Sequence, residues 1–219
     1  MSRTTSILSP ESNKNRDNHV REKNEFNFIR SKTTEFDIEK LQQATNELFS
    51  KMSWKQHIVK GLCMTQIPGD PSSADGDKLR GVFWTKPDST GEEVQRENEV
   101  DETQYTEFVE EFKGTYFEEV YNKLSEKFVI GRFRLLLLEP RNSLSWHRDP
   151  EPRLHIPIFT NPGAHVVVDD RVKHLPADGG VWFTDTRNYH TVFNGGEENR
   201  IHLVATYLGE KDPLMRAGL

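Results

Sequence analysis

The sequence predicts a mainly β domain, a barrel or double-sheet jelly roll, with two α-helices ahead of it in the chain. Three observations carry this. From Val129 onward, short strand-like segments alternate with breaks rich in Pro, Gly, Asn and Asp. The run Phe133-Arg134-Leu135-Leu136-Leu137-Leu138 is almost continuously apolar, as in a strand buried on both faces. Two earlier stretches place apolar residues at helical spacing.

Residues 1–35 are polar, charged and without period, and read as a flexible arm. Residues 36–52 carry Ile38, Leu41, Ala44, Leu48 and Phe49 on one helical face. A strand is expected over His57–Ile67, then a loop through PGDPSSADGD (residues 68–77), then a short strand over Leu79–Trp84. Residues 86–104 are polar and turn at Pro87–Gly91, which describes a long surface loop or, in the alternative, a lid. Phe108, Val109, Phe112, Tyr116, Val120 and Leu124 predict a helix over 106–128. The β segments then follow: Phe133–Leu138, Ser143–Trp146, Leu154–Phe159, His165–Val168, Val172–Leu175, Val181–Thr184, Thr191–Phe193 and Ile201–Leu208. This divides the chain into an arm (1–35), a helical and mixed part packing on the core (36–128) and a β core (129–219).

Composition narrows the function. A net charge of −6 argues against a duplex nucleic-acid partner, which would call for a basic face. No apolar run approaches the length of a membrane helix, and the N-terminal residues hold no apolar signal region. One cysteine, Cys63, excludes an internal disulfide framework and a cysteine zinc site, and points to a reducing, cytoplasmic setting.

Chemistry concentrates in His147-Arg148-Asp149, with His190 and Arg200 further on. Residues i and i+2 of a strand share a face, so His147 and Asp149 point together while Arg148 points away. Pro150 ends the strand directly after them. Two imidazoles and a carboxylate can occupy one face of a divalent iron and leave its other positions open. Taken singly, His147 and Asp149 read equally well as a surface ion pair, and His190 as a capping histidine. The same ligand set also serves hydrolytic zinc. Arg200 and the all-β frame favour iron. In the last strand Arg200, His202, Val204 and Thr206 share one face, where no acid neighbours the guanidinium. A dicarboxylate would complete it; the alternative is a buried salt bridge to Asp185. Arg153 and His155 form another i, i+2 pair, with Leu154, Ile156 and Ile158 on the apolar side. They face the metal cavity and make it an anion site, unless that side of the strand faces outward.

The motifs SWHRDP (145–150), RLHIPI (153–158), HLPADGG (174–180), WFTDTRNYH (182–190) and NRIHL (199–203) resemble those of the aspartyl/asparaginyl β-hydroxylase family of Fe(II)/2-oxoglutarate oxygenases. The resemblance covers roughly residues 130–208. It implies a double-stranded β-helix, a jelly-roll or cupin-like core with flanking N-terminal α-helices. It implies His147, Asp149 and His190 as iron ligands, and Arg200 as partner of the distal carboxylate of 2-oxoglutarate. Arg153 and His155 match the positions that contact co-substrate or substrate. The implied reaction is hydroxylation of a C–H bond of an amino acid or peptidyl residue, Asp/Asn- or Pro-like. It consumes O2 and 2-oxoglutarate and yields succinate and CO2. Some members lack the carboxylate ligand; Asp149 aligns this chain with the full-triad branch, which includes hydroxylases of free amino acids. Arg187 and Asn188 are added as substrate-orienting candidates, and Trp146, Phe159, Val181 and Phe183 as an apolar floor. Two rival classes are a non-catalytic dicarboxylate-binding jelly roll and a cupin-like metal hydrolase or isomerase; the intact triad with Arg200 argues against both.

Overall fold

The computed structural model describes residues 27–51, 60–75, 84–85, 93–95 and 100–211. In chain order it contains β1 (Phe28–Glu35), α1 (Ile38–Lys51), β2 (Lys60–Cys63), β3 (Thr65–Gln66), β4 (Trp84–Thr85), β5 (Val94–Gln95) and β6 (Glu107–Phe108). Then follow α2 (Tyr116–Lys127), β7 (Phe128–Leu138), β8 (Asn142–Ser143), β9 (His147–Arg148), β10 (Arg153–Phe159) and β11 (Ala164–Val168). The chain closes with β12 (Arg171–Lys173), β13 (Gly180–Thr184), β14 (His190–Asn194) and β15 (Arg200–Glu210).

A six-stranded sheet runs β1-β13-β10-β15-β7-β2, and a seven-stranded sheet runs β12-β11-β14-β9-β4-β5 with β8 beside β14. A small ladder joins β3 to β6. The two larger sheets form the double-stranded β-helix. Among the described residues no helix is long and apolar enough to cross a membrane.

The larger sheet is buried on both sides, and each side has its own chemistry. Leu154, Ile156, Ile158, Leu135, Leu137, Leu203 and Ala205 pack with Leu41 of α1 and Phe117, Val120 and Leu124 of α2 into one core. Leu138 and Trp182 of this sheet meet Val166, Val168 and Val192 of the other in a smaller cluster between the sheets. Asp37 caps α1 by accepting from the backbone N–H of Glu39 and Lys40 (3.0 and 3.1 Å). Glu118, in the first turn of α2, accepts from the N–H of Gly114 (2.7 Å), satisfying a donor just before that helix.

Three expectations need correction. The arm expected over residues 1–35 includes strand β1, which pairs with β13 at the edge of the larger sheet; residues 1–26 lie outside the described residues. Its sequence, FIRSKTTE, lacks an apolar alternation because an edge strand is held by backbone bonds, and its charged residues shield the edge. Similarly β2, β4 and β5, from the part expected only to pack on the core, are members of the two sheets. The helix expected over 106–128 begins only at Tyr116. Gly114 has φ 73, outside helical geometry, and Phe108 and Phe112 reach the core from strand β6 and a single 3-10 turn instead. The strand expected over Leu79–Trp84 survives as β4, the rest of that segment lying outside the described residues, as does the start of the one expected from His57.

Candidate metal centre and its cavity

β9 and β14 lie side by side, with His147 opposite His190. Asp149 follows β9 and is fixed by its N–H donating to the Thr186 carbonyl (2.8 Å). The candidate ligand atoms of His147, Asp149 and His190 all fall within 4.8 Å of one another. Asp149 Oδ1 is 3.7 Å from His147 Nε2, and its Oδ2 is 3.8 Å from His190 Nε2. Both imidazoles are oriented from behind by backbone carbonyls: Nδ1 of His147 lies 2.7 Å from Ser145 O, and Nδ1 of His190 lies 3.1 Å from Asn188 O. A donating Nδ1–H leaves the Nε2 lone pairs facing the carboxylate, the arrangement metal-binding histidines need. Burial pushes the His190 imidazole down to about 4, so it is neutral near pH 7. Burial would raise the Asp149 carboxyl, but the charges of Arg153, His190 and His147 outweigh it and hold the carboxyl below its usual range. A neutral imidazole and an ionised carboxylate suit a divalent cation.

The inner face of the larger sheet continues from this cluster. Arg153 stands opposite Thr184 and Thr206, and His155 opposite Trp182 and Val204. Arg134 stands opposite Val204, and His202 opposite Pro157. Arg153 Nη2 pairs with Asp149 at 3.2 Å and so joins the anion-binding face to the triad. The His155 ring lies edge-on to that of His202 (centroids 5.7 Å), which contacts Arg200, while Arg153, two residues before His155 on the same strand, reaches Asp149.

Arg200 is buried, and its Nη2 lies 2.9 Å from Nδ1 of His202. Among the described residues no carboxylate pairs with it. Burial alone brings its guanidinium down to about 9. Asp185, the acid considered as an alternative partner, is taken by Arg187 at 2.7 and 2.9 Å. Along this inner face, from Arg153 to Arg200, lie buried polar atoms that have no hydrogen-bond partner among the described residues: the hydroxyls of Thr184 and Thr206 beside Arg153, both ring nitrogens of His155, Nε1 of Trp182 opposite it, and Nε2 of His202. Buried polar atoms are normally satisfied, so this concentration on one face marks a surface built for a polar ligand.

Other sequence candidates fall elsewhere. The Arg187 side chain is about half exposed in its pair with Asp185. Asn188 is buried; its amide reaches Asn27, and its carbonyl orients His190. Neither is brought to the inner face by these contacts. The expected apolar floor is also displaced. Val181, Phe183 and Phe159 pack on the helix side of the sheet, and Trp146 is 48% exposed. β13 is one residue out of phase with that expectation, so Trp182 and Thr184 face inward. A strand buried on both faces shows no polar–apolar alternation from which to read its phase.

The sequence model of the Aspartyl/Asparaginyl beta-hydroxylase family matches residues 92–208, more than half of the chain. The chain belongs to this family. The match begins ahead of the motifs that first suggested it and takes in β5. No curated protein matches. Among solved structures, an oxidoreductase of the 2OG-Fe(II) oxygenase family from Burkholderia pseudomallei is similar at 15% identity, over 84% of each chain, with a TM-score of 0.51. This likeness shows a shared fold. A Pseudomonas putida prolyl-4-hydroxylase is 9% identical over 83% of this chain and 91% of that one, with a TM-score of 0.43.

Proposed function

We propose that this chain is an Fe(II)- and 2-oxoglutarate-dependent dioxygenase that hydroxylates a C–H bond of an amino acid or peptidyl residue. One observation carries the reading: a two-histidine, one-carboxylate cluster adjoins an interior face that also holds a buried arginine with no carboxylate partner among the described residues, reached through His155 and His202. A zinc hydrolase requires the first of these but not the second.

In this reading His147, Asp149 and His190 hold the iron through Nε2, a carboxylate oxygen and Nε2. With 2-oxoglutarate and O2, the iron supplies the oxidising power, yielding succinate, CO2 and a hydroxylated product. Arg200 receives the distal carboxylate of 2-oxoglutarate as a charge-assisted pair in a dry setting, where such a pair is strong. His202 holds the guanidinium in line. His155, with both nitrogens unpartnered, and the Thr184 and Thr206 hydroxyls supply hydrogen bonds to bound oxygen atoms. Arg153, held between the carboxylates of Asp149 and Glu151, keeps Asp149 ionised and in place. The apolar body of Trp182 excludes water between the sheets. A free or peptidyl Asp/Asn- or Pro-like substrate fits this surface, and the buried free thiol of Cys63 suits the reducing cytoplasm.

The test is anaerobic addition of Fe(II) and 2-oxoglutarate to the protein, read as the visible metal-to-ligand charge-transfer band of the chelate. Wild type should show the band. Asp149→Ala should lose it, and Arg200→Ala should require far more 2-oxoglutarate. Bound metal without a band would replace this reading with a hydrolase or isomerase.

A further inference from the structure

The backbone alone specifies the triad weakly. β9 is two residues long, and one register pair joins it to β14. Asp149 lies beyond the strand end, held there by one backbone bond to Thr186. Yet three ligand atoms must keep a spacing that a metal ion accepts within tenths of an ångström.

The outer side of these strands carries the missing restraint. Arg148, between His147 and Asp149, points away from the cavity, and Tyr189 immediately precedes His190. Both reach one carboxylate. The Tyr189 hydroxyl donates to Oε1 of Glu93 (2.6 Å), and Nη2 of Arg148 donates to Oε2 of the same group. The guanidinium also stands 5.6 Å from the centre of the Tyr189 ring. Glu93 directly precedes β5, which pairs with β4, and β4 in turn pairs with β9, with Thr85 opposite His147. Backbone pairing and a side-chain bridge from the same strand pair therefore converge on β9 and β14, which carry His147 and His190 and, just past the end of β9, Asp149.

We propose that Glu93 is a positioning residue for the metal centre, clasping Arg148 and Tyr189 so that His147 and Asp149 stay in register with His190. The inference rests on the reading that the triad binds a divalent metal. The clasp acts locally. The side chains of Glu93 and Arg148 are 33% and 20% exposed, and pairs of that kind add little to global stability. What they restrain is the orientation of groups that touch the metal, where outer partners change affinity by about 10–100-fold.

Cobalt(II) is the probe, since its visible spectrum reports ligand geometry without turnover. Chelator-driven release of cobalt should be about tenfold faster in Glu93→Ala than in wild type. Its visible spectrum should change, and the metal-free unfolding midpoint should stay at the wild-type value. Glu93→Gln, which keeps the shape and one acceptor, should recover part of both readouts. Arg148→Met should resemble Glu93→Ala, and the double variant should be no worse than the worse single one, as for two ends of one interaction. Should Glu93→Ala fail to fold, Tyr189→Phe, which removes a single hydroxyl, carries the test with a smaller acceleration. Wild-type release rates and spectra in these variants would overturn the clasp. So would a fall in the metal-free midpoint large enough to account for the faster release. Wild-type protein that takes up no cobalt would instead overturn the metal reading, and the clasp with it.

Discussion

Arg132 and Arg200 are two buried arginines on neighbouring strands, and their surroundings differ in one respect. Arg132 meets Glu102: its Nε and backbone N–H donate to the carboxylate at 2.9 Å each, and a further guanidinium N–H closes the pair. Its ring neighbour is Tyr105, 5.7 Å from the guanidinium carbon. Gly131 permits the approach, because a Cβ there would lie 2.7 Å from the Glu102 carboxylate. Arg200 has His202 and, among the described residues, no carboxylate. The charge states follow. Burial would lower Arg132, but Glu102 more than offsets this and raises it, whereas burial leaves Arg200 at about 9. One guanidinium is completed within the fold, and the other, on the proposed reading, by a bound carboxylate.

The largest effect is expected at the pair that is complete. Glu102→Ala strands the Arg132 charge in the interior and should cost about 3–5 kcal/mol of stability in urea unfolding. Binding of 2-oxoglutarate to the folded fraction should persist. The pH dependence adds a second readout. Burial would raise the Glu102 carboxyl, but the bonds and charge of Arg132 bring it down to about 2 from its ordinary 4.5. A depressed carboxyl stabilises fully above its unfolded value. Stability should therefore be lost as pH falls from about 4.5 toward 2, and Glu102→Gln should flatten this stretch of the curve. A steep acid transition unchanged in Glu102→Gln would assign it to other carboxylates.

The opposite pattern is expected at Arg200. Arg200→Met should weaken 2-oxoglutarate binding by about 2–5 kcal/mol in calorimetry, because it removes the partner of a buried carboxylate. It should leave unfolding stability unchanged or raised, since a buried charge without a counter-charge is costly. Loss of stability matching that of Glu102→Ala would dissolve the contrast between the two arginines. A smaller effect comes from the ligand itself. At 2-oxoglutarate about 100 times its dissociation constant, wild type should gain about 2.7 kcal/mol, and Arg200→Met almost nothing at the same concentration. A differential scanning measurement at matched metal concentration separates the two.

The contrast between completed and open groups also explains what the sequence revealed. His147, Asp149, Arg153, His155, Arg200 and His202 were legible because i, i+2 spacing assigns them to faces, and because polar residues inside an apolar strand are conspicuous. β7, β10, β11, β13, β14 and β15 were legible as largely apolar runs bounded by turn residues, whereas the strand expected over Ser143–Trp146 is replaced by the two-residue β8 and β9 at either end of it. What lacked a local pattern was not legible. β1 is held by backbone bonds at a sheet edge, and its buried Ser31 and Thr34 resemble surface residues in sequence. Phe108 and Phe112 keep helical spacing, but Gly114 separates them from the helix, which begins at Tyr116. Glu93 reaches Arg148 and Tyr189 across long stretches of chain, and its neighbours in sequence give no sign of either.

His155 supplies the smallest effect and the finest test. It is buried, its two nitrogens have no hydrogen-bond partner, and burial together with Arg200 and Arg153 holds its imidazole well below its ordinary range. A histidine kept for packing would bond one nitrogen to the protein, as His190 and His147 do. An unmet buried polar group costs about 1–3 kcal/mol, so His155→Leu, close in volume, should gain about 1 kcal/mol of stability. Cobalt binding at the triad should be unchanged, because His155 is not among the ligand atoms. Affinity for 2-oxoglutarate or for substrate should fall, and which of the two falls assigns the imidazole to one or the other. A destabilised His155→Leu with normal binding of both would place this histidine with Arg132, as part of the fold rather than of the open site.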